Sequence, residues 1–271
     1  MKKNLKVEFL ISTMFKNDIS FLKDMNINSH ATIINQTDYE RFEEFNIDGN
    51  KIKFISTTDR GLSKSRNMAL KNAEGDICVI CDDDLRYYDN CVEEIQQAYQ
   101  EIPDADLIVF CYHAEGRQKK SFYKQKKKMN FIQTMKVTSF QITFKRESVV
   151  KNNIRFNELF GTGSSFYQSG EENIFLFECL RKGLNIYFVP IYILKVDDND
   201  ESTWFKGFDE KFMFDRGAVF TAMSKKFSLL LILQFAIRKY KLYNENLSFM
   251  QAFRYMLDGR RDYLGKLQER T

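Results

Sequence analysis

Over the first hundred residues, short runs of β-branched and aromatic residues alternate with stretches of helical period. This is the pattern of βαβ units and an α/β fold with a mainly parallel sheet flanked by helices. Strands are expected at 6–12 (KVEFLIS), 31–35 (ATIIN), 51–56 (KIKFIS) and 76–81 (DICVIC). Between the last two, GLSKSRNMALKNAEG reads as a crossover helix with Ser63 as N-cap, Leu62, Ala69 and Ala73 along one face, and Gly75 as its stop. A further helix is expected in DNCVEEIQQAYQEIP, where Asn90 and Glu93 have capping-box spacing, followed by a strand at 105–112.

The alternation resumes with a strand at 137–144 (VTSFQITF), the glycine-punctuated loop FNELFGTGSSFYQSG, a helix in EENIFLFECLRKG ending at Gly183, and a strand in NIYFVP. Beyond about residue 200 the period is helical throughout, so residues 1–200 read as one α/β domain and 201–271 as a C-terminal α-helical appendage. No internal repeat is evident.

Composition narrows the class. A formal charge of +4, from 41 basic and 37 acidic residues, gives no electrostatic ground for a nucleic-acid partner. Five cysteines do not make a disulfide framework in a chain of this size and fit a reducing cytoplasm. Cys78 and Cys81 lie in a strand, where positions i and i+3 face opposite sides, and read as small buried residues. The start, MKKNLKVEFLISTMF, reads as a first strand, since Lys6 and Glu8 interrupt its apolar run.

The strand at 76–81 runs directly into Asp82, Asp83 and Asp84. Open parallel sheets bind ligands beyond the carboxyl ends of their strands. Three adjacent carboxylates need a counter-charge there, which a hard dication bridged to phosphate supplies. The bland reading is an exposed turn with Asx hydrogen bonds. Arg60, Lys64 and Arg66, just upstream, are cations able to hold a diphosphate or to pair with these acids.

The segment GLSKSRNMALKNAEGDICVICDDD resembles the glycine, Arg-Asn, Ala, Gly-Asp strand and DxD series of the family 2 glycosyltransferases. The resemblance implies a GT-A fold and an inverting transfer from a nucleoside diphosphate sugar. Asp84, with Asp82 through the metal or the ribose, is then expected to hold Mn2+ or Mg2+ on the donor diphosphate, with Asp83 in the same cluster. It also points to Ser12, Thr13, Gln36 and Asp38 at the ends of the first two strands as nucleoside contacts. The chain departs from the family in lacking a proline after strand one and in carrying NQTD after strand two.

Inversion requires a base for the acceptor hydroxyl on the face opposite the leaving diphosphate. In SGEENIFLFECL, Glu171 and Glu172 resemble the family's Gly-Glu-Asp motif, which carries the base over to Glu172, with Glu171 as the alternative. Ser169 and Glu172 also have S-x-x-E spacing, so a capping box is the structural reading of the same residues. His30 and His113 have no ligand-spaced neighbours and read as packed or surface residues. Asp197 or Asp198 is a further metal-ligand candidate beside the reading of a solvated acidic loop, and Trp204 either stacks on a sugar or is buried.

The basic run from Gly116 to Asn130 reads as a mobile loop whose Phe122, Tyr123 and Met129 suit a lipid diphosphate or an anionic bilayer. KKFSLLLILQFAIRKYK is too short in its apolar core to span a bilayer and is apolar on nearly every side. Burial is therefore expected, with peripheral membrane contact the minority reading. The expected partners are a nucleotide-sugar donor, UDP foremost, and a glycan or lipid-linked acceptor for surface polysaccharide. The expected place is the cytoplasm, at the inner face of the membrane where the acceptor is lipid-linked. A sugar nucleotidyltransferase or a non-catalytic glycan-binding protein are the rivals, and STMFKND lacks the glycine-rich loop of the former.

Overall fold

The computed structural model describes residues 5–114, 123–196 and 207–269. Its elements run β1 (Val7–Met14), α1 (Phe21–Asp24), β2 (His30–Gln36), β3 (Arg41–Ile47), β4 (Asn50–Thr57), α2 (Leu62–Asn72), β5 (Ile77–Asp82), β6 (Leu85–Tyr87), α3 (Cys91–Glu101) and β7 (Leu107–Ala114). They continue as β8 (Lys127–Lys128), α4 (Phe131–Thr134), β9 (Ile142–Lys145), α5 (Arg146–Lys151), α6 (Glu171–Arg181), β10 (Ile186–Val196), α7 (Glu210–Met223), α8 (Ser228–Arg238), α9 (Tyr240–Tyr243) and α10 (Phe249–Gln268). The strands make one sheet in the order β3-β4-β2-β1-β5-β9-β7-β10-β6, with β8 on β10. The β4-β2-β1-β5 half is parallel, and β9 enters antiparallel between β5 and β7.

Period-two alternation explains the two cores. From β1, Phe9 and Ile11 pack on one face of the sheet and Leu10 on the other; from β5, Val79 and Cys81 face one side and Cys78 and Ile80 the other. The two cysteines of the CxxC are therefore buried on opposite faces and are free thiols. A third core joins α7, α8 and α10 to Leu159, Phe160 and Tyr167 of the loop before α6 and to Ile174 and Phe177 of α6 itself. The helices α7 and α10 meet backbone to backbone: a Cβ on Gly217 would lie 1.9 Å from the Met256 carbonyl oxygen, and one on Gly259 1.8 Å from that of Phe214.

Several local expectations are corrected. Helix α2 is capped by Gly61, and Ser63 instead donates from within the helix to the Phe160 carbonyl at 2.6 Å. The Asn90–Glu93 box does not form, because Asn90 Nδ2 donates to Glu94 at 3.1 Å. The strand expected at 137–144 is a 3-10 turn, Ser139–Gln141, followed by the short β9. The strand in NIYFVP runs on through Pro190, its register with β7 shifting between Phe188 and Tyr192. In the basic segment, Lys127 and Lys128 pair with β10, Lys126 pairs with Glu101, Met129 is buried, and Tyr123 packs on Phe188. Phe122, Arg117, Lys119, Lys120, Asp197, Asp198 and Trp204 lie outside the described residues.

Candidate active site

The carboxyl ends of β1, β2, β4 and β5 lie along one edge of the parallel half-sheet, and most of the expected donor-site residues lie at that edge. Ser12 is paired in register with Asp82 and accepts a hydrogen bond from Ser65 of α2 at 2.8 Å. Thr13 Oγ1 donates to Asp83 at 2.5 Å, and Lys16 pairs with the same carboxylate at 3.2 Å. At the end of β2, Gln36 Oε1 accepts from the Gly61 N–H at 2.7 Å, which fixes the entry to α2. Asp38 pairs with Arg60 at 2.7 Å, and Arg60 also donates to the carbonyls of Thr37 and Thr58. The guanidinium of Arg60 lies 5.5 Å from the ring centre of Phe15, an exposed aromatic held at φ 52°.

Helix α2 is the hub of the site because four of its polar residues reach different elements. Ser63 holds the loop before α6, Ser65 holds β1, and Asn67 bonds both ways with the backbone of Phe156. Arg66, 1% exposed, donates to Glu171 at 2.7 Å and to Asp82 at 3.1 Å. Burial opposes its charge, but the Asp82 and Glu171 carboxylates outweigh that cost and hold its pKa above the ordinary value. One buried cation thus ties the acidic end of β5 to the first turn of α6. All three upstream cations make ion pairs: Arg66 with Asp82, Arg60 with Asp38, and Lys64 with Asp59 at 3.7 Å.

The first turn of α6 is not a capping box. Its N-cap is Gly170 in the left-handed region at φ 89°, without a side-chain cap, and a Cβ there would meet the Val219 side chain at 2.7 Å. The Ser169–Glu172 spacing therefore serves no cap, and the Glu172 carboxyl is not drawn into one. Glu171 is buried against Arg66, whereas Glu172 is half-buried. Burial first, and the adjacent Glu171 carboxylate second, push the Glu172 pKa up to about 8. Its opposing charges are Arg66 and Arg216 of α7. Arg216 sits between the rings of Phe212 and Phe235, at 5.0 and 5.8 Å, with its Nε buried and unpartnered.

Lys16, Ser139, which donates to Asp82 at 3.4 Å, and Arg216 were not legible as site residues in the sequence. Lys16 is an isolated lysine in a loop, and Arg216 is brought in by the packing of helices far along the chain. Phe15 had a signal, an aromatic directly after the first strand. Both histidines are packed: His113 stacks on Tyr192 with its ring centre 4.1 Å away and bonds Tyr88, and His30 accepts from the Lys51 N–H.

The acidic triplet is partly neutralised by the protein itself, Asp82 by Arg66 and Asp83 by Lys16, and the three carboxylates do not by themselves demand a dication. Asp84 is exposed beside them. Among the described residues no three His, Cys, Asp or Glu side chains group as a metal site. A hard dication fits this donor set as a partial shell of carboxylate oxygen, completed by oxygens from a bound phosphate.

Residues 36–164, from the end of β2 to the loop before α6, match the model of the family described as Glycosyl transferase family 2. No curated protein matches the chain. The structure is similar to that of S. aureus TarS 1-349 in complex with UDP-GlcNAc, with a TM-score of 0.65 at 12% identity over 96% of this chain and 89% of that one. The complex of the same fragment with UDP gives 0.62 at 12% identity over the same shares, and the longer TarS chain gives 0.62 at 12% identity, with 96% of this chain covering 54% of it. At such identity the likeness is one of fold. The mixed sheet with its acidic edge and the helical C-terminal region make a GT-A-like fold, and residues 36–164 of it are similar to the family 2 glycosyltransferases.

Proposed function

We propose that the protein is an inverting transferase that moves a sugar from a UDP-sugar to a hydroxyl of a glycan or lipid-linked oligosaccharide, with Glu172 as the base. The observation that carries this reading is Arg66, which links Asp82 on the donor side to Glu171 on the base side through one buried guanidinium. With Glu171 committed to that pair, Glu172 is the carboxyl of the motif left to exchange a proton. A pKa near 8 suits a base working close to neutral pH.

In the proposed reaction the acceptor oxygen attacks the anomeric carbon as the bond to the diphosphate oxygen breaks. The diphosphate leaves with that electron pair, and the acceptor proton passes to Glu172. Thr13, Lys16 and Asp83 hold the floor of the donor crevice, and Phe15 with Arg60 offers a flat cationic and aromatic face for a nucleoside. Asp84 and Asp82 are the residues that would hold Mn2+ or Mg2+, whose contribution when bound is to neutralise the departing diphosphate. The TarS fragment crystallised with UDP-GlcNAc and with UDP supports a uridine donor.

Release of UDP from UDP-sugars, with acceptor extract and Mn2+, tests the reading. Turnover should be lost in Asp84→Ala and in Glu172→Gln with the fold intact by circular dichroism. Unchanged turnover in Glu172→Gln would remove the base assignment, and absence of UDP release from every UDP-sugar would remove the donor class.

A further inference from the structure

Helix α8 is apolar on two separate faces. Ser228, Ile232, Phe235 and Ala236 are buried against α7 and α10. Leu229, Leu233 and Ile237 follow one another at four-residue steps along the opposite side, with Leu230 beside them, and all four are exposed. Leu230 and Ile237 each leave 61% of their surface open, and Phe227 and Leu242 extend the patch at either end. The expectation of burial holds for one side of this helix only: that side packs, and the other is exposed.

Along the helix and its immediate flanks the charge is of one sign, up to Glu245. From Ser224 to Asn244 the sequence has Lys225, Lys226, Arg238, Lys239 and Lys241 and no acidic residue. Lys225, Lys226, Arg238 and Lys241 are exposed. Cations therefore flank both ends of the apolar stripe, which is the arrangement that inserts side chains into acyl chains while ammonium and guanidinium groups reach phosphates. With 11 residues, α8 is too short to cross a bilayer, and among the described residues no helix is long and apolar enough to do so. A second copy of the chain is a poorer occupant, since pairing this helix with itself would bring two sets of five cations from residues 224–244 together.

We propose that the exposed face of α8, with the α8–α9 turn, docks onto an anionic lipid surface, the helix lying in the plane of the headgroups. Phe235, on the buried side of the same helix, packs under Arg216, a cation whose charge acts on Glu172. The proposal itself is independent of the donor chemistry, because binding is read without turnover.

The test is co-sedimentation of the full chain with vesicles of equal parts phosphatidylglycerol and phosphatidylcholine, and with phosphatidylcholine alone. Binding should be confined to the anionic vesicles at low salt and fall steeply toward 1 M salt, where screening shortens to about 3 Å. Each cation near the surface contributes about fivefold to partitioning, so Lys225→Glu with Lys226→Glu should lower it by at least about 25-fold. Leu230→Glu with Ile237→Glu should lower it by about tenfold or more with melting temperature unchanged, since both side chains are exposed. Wild type left in the supernatant with anionic vesicles would overturn the proposal. So would equal binding by the Leu230→Glu, Ile237→Glu variant, which would make the contact one of charge without insertion. A wild-type dimer by light scattering that this variant turns into a monomer would assign the face to a second copy.

Discussion

Replacing Arg66 with methionine removes the one cation between Asp82 and Glu171 while keeping most of the volume beneath Phe156, whose ring centre lies 5.6 Å away. At an effective dielectric of 20, an ion pair at about 4 Å is worth roughly 4 kcal/mol before desolvation is subtracted. Arg66 is essentially without solvent contact, so water cannot replace the lost partner at Glu171. Removing one member of such a buried pair costs about 3–5 kcal/mol. For a chain of this length that is on the order of 10 °C in melting temperature. Urea denaturation of the variant should show the loss as a lower midpoint at unchanged slope. Adding Glu171→Gln to Arg66→Met should restore a large part of it, because the stranded charge is then gone, whereas Glu171→Gln alone leaves Arg66 paired to Asp82. A loss below about 1 kcal/mol in Arg66→Met, or strict additivity of the two substitutions, would refute the idea that this cation holds the two halves of the site together.

Two other outcomes follow from the same structure. Glu172 has a folded pKa of about 8, above its ordinary 4.5, so the folded state keeps that proton longer than the unfolded chain does. Its stabilising contribution is complete below about 4.5 and is lost as pH rises through 8; the wild type should lose melting temperature relative to Glu172→Gln across that window, while UDP release should rise with pH toward 8. A flat difference between the two proteins over the window would contradict the raised pKa. Gly217→Ala would put a methyl 1.9 Å from the Met256 carbonyl oxygen, and α7 and α10 must part to admit it. The expected loss is at least about 2 kcal/mol by thermal or urea unfolding, and a neutral result would mean that the two helices do not cross at this residue.

The sequence made the parallel half of the fold readable because each of its strands is a short apolar run bounded by turn residues, and because the Arg-Asn and triple-aspartate series lies on one continuous βαβ unit. The elements it hid are those that tertiary pairing creates. Strand β3 is exposed along most of its length and alternates weakly, although the Asp48-Gly49 turn behind it, with φ of 49° and 79°, carried a hairpin signal. Strands β6 and β8 are three and two residues long and exist only through β10. Of the site, the acids were legible and their partners were not: Lys16 reaches Asp83 from a loop, and the charge of Arg216, 44 positions further on, acts on Glu172 through helix packing. The capping-box spacing at Ser169 and Glu172 misled because Gly170 takes the N-cap, its left-handed backbone seated against Val219.

The account turns on the acidic end of β5 being a diphosphate site, and crystals grown with UDP and Mn2+ examine it directly. An anomalous manganese peak within about 2.5 Å of an Asp84 oxygen, with the UDP diphosphate on its far side and the uridine toward Phe15 and Gln36, is the predicted result. Nucleotide bound away from this edge, or Asp82, Asp83 and Asp84 left facing only water and their own lysine and arginine partners, would contradict it.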